Sequence, residues 1–317
     1  LVSVTMYVAD GLAPFKGHTT QVRVGFLALV GVVLPLMVGH PFETMIITMA
    51  LTLFSVALVG LIILTQGSRS GLKAVVVSIV GITVVATIAL EAPMIGISIG
   101  LAQWLPIVIL AQVLRSTKSL VLMMLSGLVL ALIAITLQYL IWPDLEENWL
   151  RVIDQSVAQL KEFPEYQNVD IADNARLLVH FMVLVLGPAM YSLFIGILLI
   201  ARSMQSRIAD SDGFSTEFRA ISFGKRIGLV AIIMLAISYW ANQAWISSMS
   251  LLLMTAFLFQ GIAVVHTKVS RSKRPRLLNT LFYALLLIFP QAVVFTALVG
   301  LLDNWLILRK PANIKST

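Results

Sequence analysis

Apolar residues run along the chain in blocks of about 20, broken by short clusters of charged residues, glycine, proline and asparagine rather than by period-two alternation. Blocks of that length suit a helix crossing hydrocarbon, where backbone groups find no water and must be satisfied within their own segment. The lack of alternation argues against a closed barrel. Reading the runs against their interruptions predicts nine spans, near 22–39, 44–65, 72–90, 94–114, 119–142, 177–201, 226–241, 244–267 and 277–302. The seventh is short, and only Asn242 and Gln243 divide it from the eighth, so the pair reads as a tight hairpin or a partly re-entrant element. The fold class is all-α: a polytopic transmembrane helical bundle of about nine spans. No internal repeat divides it, and residues 1–317 read as a single integral membrane domain.

One insertion is more polar. Residues 144–175 separate spans five and six, and Asp144 with Glu147 three residues later marks a helix start. Leu145, Trp149, Val152, Ile153, Val157 and Leu160 then recur at helical spacing up to Phe163-Pro164. This predicts an amphipathic extracytoplasmic helix. It serves either as a lid lying on the bundle or as a docking surface for a partner.

Composition sharpens the class. The chain is 59% hydrophobic and 12% charged, with mean hydropathy +0.97, against about twice that charge in soluble domains. Its net charge of +7 first raises nucleic acid as a partner. With the N-terminus cytoplasmic, however, 16 of the 22 Lys and Arg residues fall in cytoplasmic segments, as the positive-inside rule requires. The remaining six are Arg151, Lys161 and Arg176, with Arg309, Lys310 and Lys315 in a C-terminal tail read as periplasmic. Trp142, Trp149, Trp240, Trp245 and Trp305 fall on that same outer side, as an aromatic belt would. Topology and anionic lipid thus account for the basic excess without nucleic acid. Leu1 is not an ordinary start, so the sequence begins within a longer protein or starts at Met6, and no cleavable signal precedes the first span.

Within the spans, polar residues are few. Gly96 and Gly100 lie one turn apart on one helix face, a pattern that lets a neighbouring backbone approach. Glu91 falls where a helix beginning at Gly71 leaves the hydrocarbon, which makes it an interfacial turn residue ahead of Pro93. Three deep amides remain: Gln103 beside Trp104 and close to Pro106, Gln260, and Gln291 next to Pro290. They are interhelical glue or, with Trp104, the lining of an intramembrane polar cavity. His180 has no second ligand at metal spacing, and the chain has no cysteine, so no metal or cofactor is expected. The segment Gln66 to Lys73, QGSRSGLK, lacks phosphate-loop spacing. No ionisable residue lies securely at mid-membrane, and no hydrolytic constellation sits in a span, which disfavours ion coupling and catalysis.

Three stretches carry a family resemblance: WLPIVILAQVLRSTKSL at Trp104 to Leu120, GFSTEFRAISFGKR at Gly213 to Arg226, and QGIAVVH with GLLDNWLILRK between Gln260 and Lys310. They resemble the YybS-like predicted membrane proteins of bacteria, in their gammaproteobacterial form. That family is distantly similar to the substrate-binding subunits of energy-coupling-factor vitamin transporters and to the cell-shape protein MreD. The resemblance implies a multi-pass inner-membrane protein without catalysis of its own. The expected function is a structural or accessory partner in a membrane complex, with Trp149, Ile153, Arg219, Arg271 and Arg274 as its contact surface besides the lipid bilayer. A solute-binding or transport subunit is the alternative, with Gln103, Trp104, Gln260 and Gln291 as its site.

Overall fold

The computed structural model describes residues 41–161, 172–209, 213–241, 243–306 and 308–309. The expected first span, 22–39, and the end of the polar insertion, 162–171, lie outside them. Eleven helices follow in order: α1 Pro41–Gln66, α2 Ser68–Leu90, α3 Pro93–Thr117, α4 Leu120–Ile141, α5 Leu145–Lys161, α6 Ala172–Ile208, α7 Gly213–Arg219, α8 Lys225–Ala241, α9 Ala244–Val269, α10 Pro275–Ile288 and α11 Pro290–Leu306. Five helical stretches in α2, α3, α4, α6 and α9 are long and apolar enough to cross a membrane, six if α10 and α11 count as one broken span.

Among the described residues, two of the nine expected spans differ from the expectation for local reasons. Helix α1, Pro41–Gln66, covers the second expected span, 44–65. Helix α8 has 17 residues, about 26 Å at 1.5 Å per residue, and falls short of a hydrocarbon core of about 30 Å. The stretch expected as span nine is two helices bent by 117°. Pro290 supplies no amide hydrogen and disfavours helical dihedrals at the preceding residue, so Phe289 is extended at φ −116° and ψ 101°.

The chain gathers into two compact units. The first comprises residues up to Gly127 together with Leu193–Phe218; the second comprises Leu128–Ser192 and Arg219–Thr317. Helices α4 and α6 therefore each contribute to both.

In the first unit α1, α2 and α3 pack pairwise as successive hairpins. Glu91 ends α2 in a left-handed cap, φ 53°, with its N–H bonded to the Thr87 carbonyl, and Pro93 opens α3 where no donor is needed. Lys118 caps α3 the same way. A Cβ added to Gly96 would lie 2.6 Å from Thr83 Cα and 2.9 Å from the Ile82 carbonyl oxygen, so α3 touches α2 backbone to backbone there. At Gly100 the neighbour is the Ile79 side chain, 2.9 Å from such a Cβ. Arg202 of α6 forks onto Glu217 of α7, and Gln205 donates to the Leu64 carbonyl of α1 at 2.9 Å.

The second unit is built on α9, whose buried residues run from Ile246 to Val264. Helix α8 forms a hairpin with it, pinned by a Ser238–Ser247 hydroxyl pair at 2.9 Å and by Ser250 donating to the Met234 carbonyl. Ser248 donates to the Leu184 carbonyl of α6 at 2.9 Å, and Tyr191 of α6 meets Phe259 edge to face. Helix α11 crosses α9 backbone to backbone: a Cβ on Gly261 would collide with the Thr296 carbonyl oxygen, and one on Gly300 with the Phe257 carbonyl oxygen.

Candidate functional site

The two glycines of that crossing bring the end of α11 against Gln260. Gln260 is fully buried, and both ends of its amide are engaged. Its Oε1 accepts the Phe223 N–H at 3.0 Å, and its Nε2 donates to Asp303 Oδ2 at 3.0 Å and to Asn304 Oδ1 at 3.2 Å. Asn304 Oδ1 also accepts the Gly224 N–H at 2.9 Å, while its Nδ2 turns back to the Leu301 carbonyl at 2.9 Å. Arg309 donates its Nε to Asp303 Oδ2 at 3.0 Å and aims its remaining nitrogens at Asp303 and at the carbonyls of Arg219 and Ile221. Side-chain exposure is 15% for Arg309 and 5% for Asp303, which makes this a buried ion pair with several further hydrogen bonds. The result is a polar network that fastens the 219–224 connection to α9 and α11.

Its depth follows from geometry. Gln260 lies about 24 Å along α9 from Ala244, close to the far boundary of a core about 30 Å thick. A carboxylate and a guanidinium at that level avoid the cost of the bilayer centre.

This network bears on the arrangement of the chain's later segments. The segment 202–225 and the C-terminal tail read from sequence as lying on opposite sides of the membrane. Because Arg309 bonds to the carbonyls of Arg219 and Ile221, residue 309 and that connection lie together. The Trp305 ring occupies the space beside Gly228 near the start of α8. Read as one straight span, 277–302 has its end far from its start, whereas the 117° bend at Phe289 turns α11 away from the line of α10.

The other residues singled out from sequence are dispersed. Gln291 is exposed at the start of α11 and makes no bond to Gln260. Gln103 is half-buried on α3, in the first unit, beside the buried Trp104, whose indole Nε1 has no hydrogen-bond partner among the described residues. Helix α3 runs unbroken through Pro106. His180, for which no partner was legible, meets Glu146 Oε1 at 3.0 Å and so ties α5 to α6. Among the described residues no group of three potential ligands could hold a metal ion.

Trp149 is exposed on α5 and Ile153 half-buried. Trp149 lines a groove of about 370 Å³ with Leu137, Gln138, Ile141, Trp142 and Leu186. Arg219 lends its carbonyl to Arg309, and Arg271 and Arg274 are exposed at the α9–α10 corner.

Asp303, Asn304 and Arg309 were missed as site residues. The signal was present in GLLDNWLILRK, where a carboxylate and an amide close an apolar helix and an arginine follows six residues on. Gly261, adjoining Gln260, and Gly300 carry no pattern relating them to each other.

No curated protein and no solved structure matches the chain significantly. A family model does, over residues 32–304, and its description is a predicted membrane protein. That match takes in α1 through the network on α11, and the chain accordingly belongs to the DUF2232 family of predicted membrane proteins.

Proposed function

We propose that this chain is a non-enzymatic partner subunit of a membrane complex in the bacterial inner membrane. The observation that carries the reading is the closure of the Gln260–Asp303–Asn304–Arg309 network on the chain's own backbone. Polar groups placed this way hold segments in position, which is the task of a scaffold. In this reading the N-terminus and the 202–225 and 268–276 segments are cytoplasmic, as the positive-inside rule favours. Helix α5 is the amphipathic extracytoplasmic element, with Trp149 and the groove beside it as the docking surface for another membrane subunit. The YybS-like resemblance, with its distant likeness to MreD, supports the same role.

The test is native mass spectrometry of gently solubilised protein. A protein partner in fixed stoichiometry is expected, and paired Trp149→Ser and Val152→Ser substitutions should reduce its retention about tenfold with Tm unchanged. Both side chains are exposed, so their replacement leaves the packing of α5 on α6 intact.

One observation favours the alternative, a solute-binding subunit of the energy-coupling-factor type. Helices broken near the membrane line substrate sites in many transporters, and α10–α11 is such a break. A retained small molecule that Gln103→Leu releases, with no protein partner present, would replace the scaffold reading with this one.

A further inference from the structure

Between Glu217 and Asp303 the chain carries eight Lys and Arg residues and not one Asp or Glu. Five of them, Lys268, Arg271, Lys273, Arg274 and Arg276, crowd the corner where α9 passes into α10. Lys268, Lys273, Arg274 and Arg276 are exposed, and Asp303, the next carboxylate in sequence, is held by Arg309.

The helix that follows adds a second, independent feature. None of the 14 residues of α10 is buried. Arg276, Asn279, Thr280 and Tyr283 recur at helical spacing along one stripe, and the Tyr283 hydroxyl reaches His266 Nε2 on α9 at 2.8 Å. The opposite stripe carries Leu277, Leu281, Leu285 and Ile288, each about half exposed or more. Exposed Lys273, Arg274 and Arg276 thus adjoin an exposed apolar face. Its complement is a molecule with a negative head and hydrocarbon tails.

We propose that the α9–α10 corner is a binding site for an anionic phospholipid, its phosphate among Lys273, Arg274 and Arg276 and its acyl chains along the apolar stripe of α10. This goes beyond the general attraction of basic loops to an anionic leaflet, because it requires one place on the protein and both halves of the lipid. It does not depend on the scaffold reading.

The experiment uses delipidated full-length protein offered equimolar dioleoyl phosphatidylglycerol and dioleoyl phosphatidylcholine, with bound lipid counted by native mass spectrometry. Phosphatidylglycerol should be retained at least about fivefold over phosphatidylcholine, and it should raise Tm where inorganic phosphate at equal concentration does not. The triple change Lys273→Ser, Arg274→Ser, Arg276→Ser should bring the two lipids near parity. The pair Arg69→Ser and Lys73→Ser, in the first unit, should leave the preference in place. Leu281→Ser should weaken phosphatidylglycerol retention with every charge kept. Parity of the two lipids on the unaltered protein would overturn the proposal whatever the variants do. Equal loss from both sets of charge changes, displacement by inorganic phosphate, or an acidic protein held at the corner in place of lipid would overturn it as well.

Discussion

At Gly261 and Gly300 a missing side chain decides where two backbones meet. Both positions face carbonyl oxygens, which cannot rotate aside as a flexible side chain can. Gly261→Ala is therefore expected to force α11 off α9 and to destabilise the second unit by about 3 kcal/mol, the upper part of the range for overpacking. Gly196→Ala, where nothing lies within 4 Å of the added methyl, should leave Tm in detergent unchanged or slightly raised. Equal tolerance of the two changes would show that the crossing is loose. Gly96 and Gly100 were legible as packing residues because they share one helix and the spacing of one turn. Gly261 and Gly300 were not, because their relation exists only once α9 and α11 have met. Gln260 was legible as a deep amide, whereas its partners on the 219–224 connection are backbone groups that no residue type announces.

At the scale of elements, the α9–α11 pair is held by apolar contact and by the Gln260 amide on Asp303 and Asn304, and Asp303 is in turn one member of an ion pair with Arg309. Asp303→Ala leaves the Arg309 guanidinium without its carboxylate, and a loss of about 3–5 kcal/mol is expected. Adding Arg309→Met to that change should restore part of the loss, which thermal unfolding of the single and double variants will measure. Additive losses would mean that the pair contributes no coupling. Helices α2, α3, α4, α6 and α9 were legible because long apolar runs bounded by charge admit one interpretation. The break at Phe289 was hidden by its own composition: Pro290 sits in a continuous apolar run, and hydropathy does not distinguish one tilted span from two half-length helices. The left-handed caps at Glu91 and Lys118 were likewise concealed, since neither residue is one that prefers that conformation.

For the whole molecule, the consequence is a different distribution of ends. In the second unit α5 adjoins the His180 end of α6, and Ser248 near the start of α9 packs on Leu184, so α5 and the Gln260 network belong to opposite ends of α9. The absence of cysteine makes this directly measurable. Single cysteines at Ser270 and Leu308 should label from one face of the membrane and one at Gln155 from the other. Labelling of positions 308 and 155 from a common face would refute the arrangement. Charge counting assigns a span to every apolar run, so one bent run such as 277–302 changes the side assigned to everything after it. The membrane class itself was secure, resting on lengths and compositions that packing does not alter.

The Arg309 clasp also sets an order of events during synthesis. Its acceptors, the carbonyls of Arg219 and Ile221, leave the ribosome 90 and 88 residues before the guanidinium that holds them. At elongation rates of about 5–20 residues per second, that interval lasts roughly 5–20 s. Until it ends the 219–224 connection lacks its last clasp, and the bond from the Phe223 N–H to Gln260 is the one that α9 can supply earlier. Maturation of the second unit is thereby tied to the translation of one late arginine.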